Sequence, residues 1–202
     1  MDVKELYRSK LISTQEAVGM VCSGQSIVSA MCAAEPPGLL GAISSRKCEL
    51  ENVTIMSCLL MRDYDFLKPE MKGHFLNEAW YYGQYSYMAH PGGTVTFLPN
   101  HLSECGLKKA QIDPPDIFWG TATPPDKNGY MSLSLSLTYE KPMIAAAKTV
   151  VLEINENLPR TLGDTHIHIS QVDYVVENAV PLVEIDHITP SEVEMEIGRN
   201  VA

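Results

Sequence analysis

The chain has 202 residues and a formal net charge of −10, because 25 aspartate and glutamate residues outnumber 15 lysine and arginine residues. A hydrophobic share of 45% with 20% charged residues is typical of one medium-sized globular domain and excludes a disordered chain. The sequence has no clustered basic segment, no apolar run long enough to span a bilayer and no signal-peptide core near Met1. We therefore expect no nucleic-acid partner, no membrane insertion and no secretion.

Cysteine usage indicates the redox environment. Their number is odd and no pair has the C-x-x-C spacing, which favours free thiols over a disulfide framework or a zinc site. We therefore expect a reducing, cytoplasmic location. The five cysteines are Cys22, Cys32, Cys48, Cys58 and Cys105.

The first third of the chain predicts a strand–helix–strand unit. Residues 13–16 (STQE) form a capping-box pattern that begins a helix, and we expect this helix to end near Gly24. A short strand over 26–30 is followed by a helix over 39–46 and a second strand over Val53–Cys58.

The same alternation continues downstream. Residues 101–110 predict a helix with Leu102 and Leu107 facing inward, and residues 131–137 alternate leucine or methionine with serine, as a strand does. Thr138 is in position to cap the next helix, over 139–148. Together these elements predict an α/β domain with an open, mainly parallel sheet flanked by helices. The remaining predicted strands cover 94–98, 116–122 and Thr149–Ile154.

The C-terminal segment predicts a helix with an unburied apolar stripe. Residues 189–192 (TPSE) combine Thr189 as a cap with a proline and an acid, and Val193, Ile197 and Val201 follow on one helical face. Because the stripe still runs where the sequence ends, we expect this polypeptide to be one part of a larger protein or one subunit of a complex.

A loop at the predicted carboxyl end of the first strand is a candidate ligand site, because ligands of open α/β sheets bind at that edge. In residues 32–38 (CAAEPPG), small side chains let a ligand approach the backbone and two prolines restrict the turn. Glu35 is the best-placed carboxylate, and we expect it to cap the following helix or to accept hydrogen bonds from a ligand. An ordinary strand–helix connection is the alternative.

A second candidate loop follows the predicted strand over 116–122. In residues 124–129 (PPDKNG), the side chains of Asp126 and Asn128 are suited to bind the backbone or a ligand, and Gly129 supplies a positive φ. A rigid hairpin turn without any ligand is the alternative, and the sequence leaves both interpretations open.

Two further clusters have both functional and structural interpretations. His166 and His168 form an H-x-H pair that Asp164 or Asp173 would complete as a metal site, but no further ligand has a matching spacing, so we expect a polar strand face and no metal. An aromatic cluster is expected on a loop, either at an inter-domain interface or ligand cleft, or folded over its own core. This cluster consists of Trp80, Tyr81, Tyr82, Tyr85 and Tyr87.

The sequence lacks a G-x-S-x-G elbow, a P-loop and a G-x-G-x-x-G motif, but it contains a set of short motifs in a specific order. The motifs are Met1–Tyr7, Glu16-Ala17-Val18, Ser23-Gly24, Ala34-Glu35-Pro36, Asn52-Val53-Thr54, Lys68-Pro69-Glu70, Pro124-Pro125-Asp126, Asn128-Gly129, Gly163-Asp164-Thr165 and Glu192. In them the chain resembles the N-terminal half of the acetyl-CoA hydrolase/transferase family, most closely its 4-hydroxybutyrate and butyrate CoA-transferases. The resemblance implies two similar open α/β domains with the active site in the cleft between them.

The resemblance also implies an activity. These enzymes move CoA, as a substrate, between short-chain carboxylic acids such as 4-hydroxybutyrate or butyrate and acetate, without a metal or a bound cofactor. Their nucleophile is a glutamate in the C-terminal half, which carries CoA as a glutamyl thioester. We therefore expect residues 1–202 to be the N-terminal domain, inactive without a C-terminal half or companion subunit, and the complete protein to be a homo-oligomer.

One residue departs from the pattern of close relatives. Where these have histidine just before the cysteine of the first loop, this sequence has Met31, whose thioether offers no strong hydrogen bond to a hydroxyl group. This substitution favours a more apolar acid, such as butyrate or propionate, over 4-hydroxybutyrate. The substrate-binding residues that we expect are Met31, Cys32, Ala34, Glu35, Pro36, Pro37, Pro124, Pro125, Asp126, Asn128 and Gly129.

Two other functions remain open at this point. A non-catalytic binding module would dock a partner through its acidic C-terminal third and its aromatic cluster. Half of an acyl-CoA thioester hydrolase would use water in place of the accepting acid.

Overall fold

The structure is a computed structural model that describes residues 2–184 and 188–202. Within these residues the chain forms nine strands and seven α-helices. The strands are β1 (Ser26–Ser29), β2 (Val53–Cys58), β3 (Phe75–Tyr81), β4 (Val95–Phe97), β5 (Ile117–Ala122), β6 (Tyr130–Ser132), β7 (Thr149–Ile154), β8 (His166–His168) and β9 (Tyr174–Glu177). The helices are α1 (Val3–Lys10), α2 (Thr14–Gly19), α3 (Pro37–Ala42), α4 (Gln84–Ala89), α5 (Leu102–Ile112), α6 (Glu140–Ala146) and α7 (Glu192–Val201).

Seven of the strands form one sheet in the order β4-β3-β2-β1-β5-β7-β9, and every neighbouring pair is parallel. The open parallel sheet predicted from the sequence is therefore confirmed. The chain winds outward from β1 through β2, β3 and β4, and then returns to β5 on the other side of β1. The order of the strands thus reverses between β1 and β5, which is where open α/β sheets bind ligands. Strands β6 and β8 form a separate antiparallel pair.

Apolar side chains cover both faces of the large sheet. Ile27 and Trp119 point to one face and pack with α2 and α3, whereas Val28 and Phe118 point to the other and pack with α5 and α6. Because successive side chains of a strand alternate between faces, a sheet covered on both sides needs strands that carry apolar residues on both faces. This requirement explains why β1, β5 and β7 are recognisable in the sequence.

The predicted capping box at the start of α2 is confirmed. The N–H of Glu16 donates to the Ser13 hydroxyl at 3.1 Å, and the Glu16 carboxylate accepts the Ser13 N–H at 2.8 Å. The helix ends at Gly19, five residues before the expected stop. Gly24 does adopt a positive φ of 76°, but in the turn before β1, where its N–H donates to the carbonyl oxygen of Glu51.

The expected inward face of α5 is wrong. Leu102 and Leu107 are 37% and 56% exposed, while Cys105 and Gly106 are buried. A Cβ atom on Gly106 would lie 2.7 Å from the Cβ atom of Tyr139, so only glycine allows α5 to approach the segment before α6 this closely. This close contact turns the glycine face of α5 toward the sheet.

The alternating leucine and serine segment after β6 is not the predicted long strand. Ser134 has a φ of +60°, which ends the extended conformation, and Leu135 and Leu137 are 40% and 37% exposed. The serines face the interior instead, where the hydroxyl of Ser134 donates to the Pro159 carbonyl oxygen at 2.6 Å. Partners from elsewhere in the chain therefore decide which side of this segment is buried.

Two predicted helix caps are also corrected. Thr138 does not cap α6, because the Glu140 carboxylate itself accepts the N–H groups of Thr138 and Tyr139. Helix α7 begins two residues later than the Thr189 cap predicts, with Ser191 and Glu194 as a capping box.

The apolar stripe of α7 is exposed, as the sequence predicts. Val193, Ile197 and Val201 are 67%, 57% and 83% exposed. Across the described ranges, 2–184 and 188–202, no helix is both long enough and apolar enough to cross a membrane.

Candidate functional site

The two candidate loops follow neighbouring strands at the point where the strand order reverses. The first loop (residues 30–36) connects β1 to α3, and the second loop (residues 123–129) connects β5 to β6. Because β1 and β5 are parallel and paired, both loops leave the same carboxyl edge of the sheet. The sequence-predicted residues therefore share one edge, although they lie about ninety positions apart in the chain.

The first loop has an unusual backbone and a small accessible part. Cys32 has a φ of +54°, in the left-handed region that non-glycine residues rarely adopt, and it starts a 3₁₀ turn over Cys32–Ala34. Met31 and Cys32 are half-buried, whereas Glu35 is buried beneath them. A ligand would thus meet the start of the loop. Ala34 and Pro36 are buried and Pro37 is half-buried.

Glu35 holds the neighbouring loop, and it does not cap α3. Its carboxylate accepts hydrogen bonds from the Tyr64 hydroxyl at 2.8 Å, the Met61 N–H at 2.9 Å and the Arg62 guanidinium at 3.0 Å. Burial raises the pKa of Glu35 even though these three donors and the charge of Arg62 act to lower it. The carboxylate is therefore committed to joining the first loop to the segment that follows β2.

The cap of α3 is Glu153, a residue that sequence analysis missed. Its Oε2 atom accepts the N–H groups of Gly38 and Leu39 at 2.9 and 3.1 Å, and its Oε1 atom accepts the Asn178 amide at 2.6 Å. Glu153 lies on β7 and is fully buried, and this burial raises its pKa to about 7. Its partners on α3 are more than a hundred residues away in the chain, so no local pattern identifies it.

A second missed carboxylate holds the other end of the first loop. The Oε1 atom of Glu140 accepts the Met31 N–H at 3.1 Å and the Ser136 hydroxyl at 2.8 Å. Its Oε2 atom accepts the N–H groups of Thr138 and Tyr139 at 2.6 and 3.0 Å. Four donors compensate the burial of this side chain, which is 1% exposed.

The second loop is a tight turn built around Asp126. The Oδ1 atom of Asp126 accepts the N–H groups of Tyr130 and Asn128 at 2.9 and 2.8 Å, and these bonds lower the pKa of Asp126. Gly129 has a φ of +86°, and a Cβ atom on it would lie 2.5 Å from the Nε2 atom of His168. The rigid-turn interpretation is therefore correct for the backbone.

The second loop also forms a wall of a cleft of about 770 Å³. The opposite walls are α1 and the carboxyl ends of β7 and β9, where the Tyr7 hydroxyl donates to the Glu177 carboxylate at 2.9 Å. The first loop does not line this cleft, so the two candidate loops share an edge of the sheet but not one cavity. The second-loop residues that line the cleft are Pro124, Pro125, Asp126 and Lys127.

Of the histidine pair, His168 has a structural role. His168 is hydrogen-bonded through Nδ1 to the Ser170 hydroxyl and through Nε2 to the Asn128 carbonyl oxygen, at 2.8 and 3.1 Å. These contacts hold the second loop against β8. In the part of the chain that the structure describes, residues 2–184 and 188–202, no three histidine, cysteine, aspartate or glutamate side chains are grouped as metal ligands.

The aromatic cluster is divided between the core and the surface, and the expectation that it lies on a loop is wrong. Trp80 is buried near the end of β3 and packs edge-on against Tyr139, with ring centroids 4.8 Å apart. Tyr87 lies on α4 and is 74% exposed. The aromatic residues therefore do not form one continuous surface for a partner.

The fold is an open α/β domain with the two candidate loops at the carboxyl edge of its sheet. The sequence matches the acetyl-CoA hydrolase/transferase N-terminal domain over residues 1–185, and the chain therefore belongs to that family. This match confirms the resemblance seen in the short motifs.

Two characterised relatives are similar over most of this chain. The 4-hydroxybutyrate coenzyme A transferase of Clostridium kluyveri is 34% identical over 203 residues, which are 100% of this chain and 47% of the relative. The butyryl-CoA:acetate CoA-transferase of Anaerostipes caccae is 32% identical over 187 residues, which are 91% of this chain and 42% of the relative. The chain spans about half the length of the curated relatives it matches.

A solved structure supports the same relationship. RipA from Yersinia pestis superposes with a TM-score of 0.87 and is 27% identical, over 95% of this chain and 47% of RipA.

Proposed function

We propose that this chain is the N-terminal domain of a CoA-transferase, which moves CoA between short-chain carboxylic acids. The names of the Clostridium and Anaerostipes relatives support this class of reaction. The proposal rests mainly on the first loop. This loop contains one of the motifs that the chain shares with the family, and buried carboxylates hold its backbone. Met31 and Cys32 are partly accessible at the carboxyl edge of the sheet, while buried carboxylates hold the backbone of the loop in place.

We propose that the nucleophile lies outside this chain, on a glutamate of a C-terminal half or companion subunit. The buried carboxylates of Glu35, Glu140 and Glu153 are each bound by three or four hydrogen-bond donors, which leaves none of them directed at a substrate. The chain's own contribution is then to bind and orient the acyl group and CoA.

In the proposed reaction, the external carboxylate attacks the thioester carbonyl carbon, and CoA thiolate leaves as a mixed anhydride forms. The thiolate then attacks the glutamyl carbonyl carbon of that anhydride, which releases the first acid and leaves CoA on the glutamate as a thioester. A second carboxylate reverses these steps and departs as the new acyl-CoA. CoA is a substrate in this scheme, and no resident metal or cofactor takes part.

Met31 supports a preference for an apolar acyl group. Met31 is half-buried at the start of the first loop, where it packs against the core, and its accessible part offers dispersion contacts without a strong hydrogen bond. We propose butyrate or propionate as the preferred acid over 4-hydroxybutyrate. In the complete gene product, the kcat/KM for butyryl-CoA should exceed that for 4-hydroxybutyryl-CoA, and the opposite order contradicts this preference.

The experiment that tests the activity combines this chain with its partner half. The complete gene product, or this chain co-expressed with the C-terminal half of the Clostridium relative, is incubated with butyryl-CoA and acetate. We expect acetyl-CoA to form, the isolated chain to form none, and Asp126→Ala to slow the exchange. Glu70→Gln is the matched control because Glu70 is exposed and lies in neither loop, before the amino end of β3.

A thioester hydrolase is the second candidate function, because the name of the family includes hydrolases as well as transferases. Release of free CoA at the same rate with and without acetate would identify hydrolysis, whereas acetate-dependent formation of acetyl-CoA identifies transfer. Stoichiometric binding of butyryl-CoA without either reaction would identify a non-catalytic module. We also propose a cytoplasmic location, which the five free cysteines support.

A further inference from the structure

Both ends of the first loop are held by buried carboxylates that come from distant parts of the chain. Glu140, at the start of α6, binds the N–H of Met31 at the beginning of the loop. Glu153, on β7, binds the N–H groups of Gly38 and Leu39 just beyond its end. These two side chains fix the two ends of the loop relative to the sheet, while Glu35 and the Thr121 hydroxyl hold its middle.

The surroundings of Glu153 suit an ionised carboxylate. Its three hydrogen-bond partners, the N–H groups of Gly38 and Leu39 and the amide of Asn178, are all donors. The charged and titratable groups that act on it from the segment after β2 are Arg62 and Tyr64, and both of these bind Glu35 as well. A proton on either oxygen of Glu153 would face an N–H group and would weaken at least one of the three bonds.

Gly38 packs closely against Glu153 and its partner Asn178. A Cβ atom on Gly38 would lie 2.7 Å from the Asn178 amide nitrogen and 2.9 Å from the Oε2 atom of Glu153. Burial raises the pKa of Glu153 to about 7, so the carboxylate changes its charge close to neutral pH. The contact that holds the loop is therefore both tightly packed and sensitive to protonation.

We propose that Glu153 is a positioning residue of the substrate pocket: its ionised carboxylate fixes the start of α3 and the first loop, and protonation loosens that loop. This inference rests on the proposed function, since it is the acyl-binding loop that Glu153 holds. Glu153 itself touches no substrate and acts through the backbone of Gly38 and Leu39.

The test compares pH profiles of acyl transfer in the complete gene product. With butyryl-CoA and acetate, the kcat/KM of the unmodified protein should fall below about pH 7 toward a lower plateau. Glu153→Gln keeps the shape of the side chain but cannot ionise, so it should lose this acidic limb. Its kcat/KM should be about 10- to 100-fold lower at pH 8, mainly through a higher KM for butyryl-CoA. Glu70→Gln should keep the limb and the rate.

Asn178→Ala gives a second, independent readout. The Asn178 amide stabilises the ionised form of Glu153, so its removal should raise the pKa of Glu153 and move the acidic limb to higher pH. Superimposable pH profiles for the unmodified protein, Glu153→Gln and Asn178→Ala would overturn the proposal, because a merely structural role predicts no shift of the limb.

Failure of the proposed function is recognised separately. If the unmodified protein forms no acetyl-CoA at any pH, the assignment as a transferase fails first. The ¹H and ¹⁵N chemical shifts of the Gly38 and Leu39 amides then test whether these groups bind the Glu153 carboxylate. They should titrate together near pH 7 in the unmodified protein and stay constant in Glu153→Gln, and a flat response in the unmodified protein overturns the role of Glu153.

Discussion

The hydroxyl of Thr121 donates a hydrogen bond of 3.0 Å to the carbonyl oxygen of Ala34. Thr121 lies on β5 and Ala34 lies in the first loop, so this bond joins the loop to the strand that carries the second loop. Together with the buried carboxylates, it holds Cys32 in its left-handed conformation, which costs about 1–3 kcal/mol for such a residue. Rigid support of this kind is what a substrate-binding loop requires.

Gly38 and Gly41 lie on the same short helix and provide a matched pair of substitutions. Gly38→Ala would bring its Cβ atom within 2.7 Å of Asn178 and 2.9 Å of Glu153, and should lower the free energy of unfolding by about 1–3 kcal/mol. Gly41→Ala has open space and should raise it by up to about 1 kcal/mol through helix propensity. Urea denaturation measures both, and equal stabilities would show that the contacts of Gly38 are described incorrectly.

Alanine substitutions at Gly129 and Gly163 distinguish the cost of backbone strain from the cost of close packing. Both have a positive φ, of 86° and 92°, so alanine at either position should cost about 1–2 kcal/mol of stability. Gly129→Ala should cost more than Gly163→Ala, because its Cβ atom would also displace the His168 ring, whereas Gly163 has no neighbour within 4 Å. Thermal unfolding compares the two variants, and a cost at Gly163 equal to that at Gly129 would contradict the role of His168.

Tyr64→Phe removes one of the three donors to the buried Glu35 carboxylate. The free energy of unfolding should fall by about 1–3 kcal/mol at pH 8, because a buried acceptor loses a partner. The lost bond also raises the pKa of Glu35 further, so the penalty is full where Glu35 is ionised and decreases as the pH falls. Tyr87→Phe is the control, since Tyr87 is 74% exposed and should cost less than about 0.5 kcal/mol. Denaturation at pH 8 and pH 5 tests the sign, and a penalty that grows at low pH would contradict it.

Glu140→Gln tests the anchor at the other end of the first loop. All four partners of Glu140 donate hydrogen bonds, so the NH₂ group of glutamine would face donors and leave at least one of them unpaired. We expect a loss of stability of about 1–3 kcal/mol and faster hydrogen exchange at the Met31 amide. Glu70→Gln should change neither quantity, and unaltered exchange at Met31 in Glu140→Gln would sink this assignment.

The sequence predicts a strand correctly where the buried residues of that strand are mostly apolar. Strands β2 and β7 were predicted with their observed bounds, because they are short apolar runs between turns. Strand β3 was missed because it contains Asn77, a polar residue that is fully buried and hydrogen-bonded to the Ile55 carbonyl oxygen and the Ser57 hydroxyl. Strand β9 was also missed, although it is no shorter than β1, which the sequence predicts. The hydrogen-bond partners of Asn77 lie on the neighbouring strand β2. The local sequence of β3 therefore does not reveal that this polar side chain can be buried.

By itself, the sequence determined the family, the parallel α/β class and the two candidate loops at the carboxyl edge of the sheet. These features depend on local patterns: apolar runs, capping residues and short ordered motifs. Only the tertiary structure decided which carboxylate caps α3, what Glu35 binds and how Glu140 holds Met31. The hydrogen bonds from Met61 to Glu35, from Met31 to Glu140 and from Gly38 to Glu153 join residues 26, 109 and 115 positions apart in the chain, and each depends on proximity in space. Local sequence patterns carry no information about such distances, so these roles emerge only when the chain is folded.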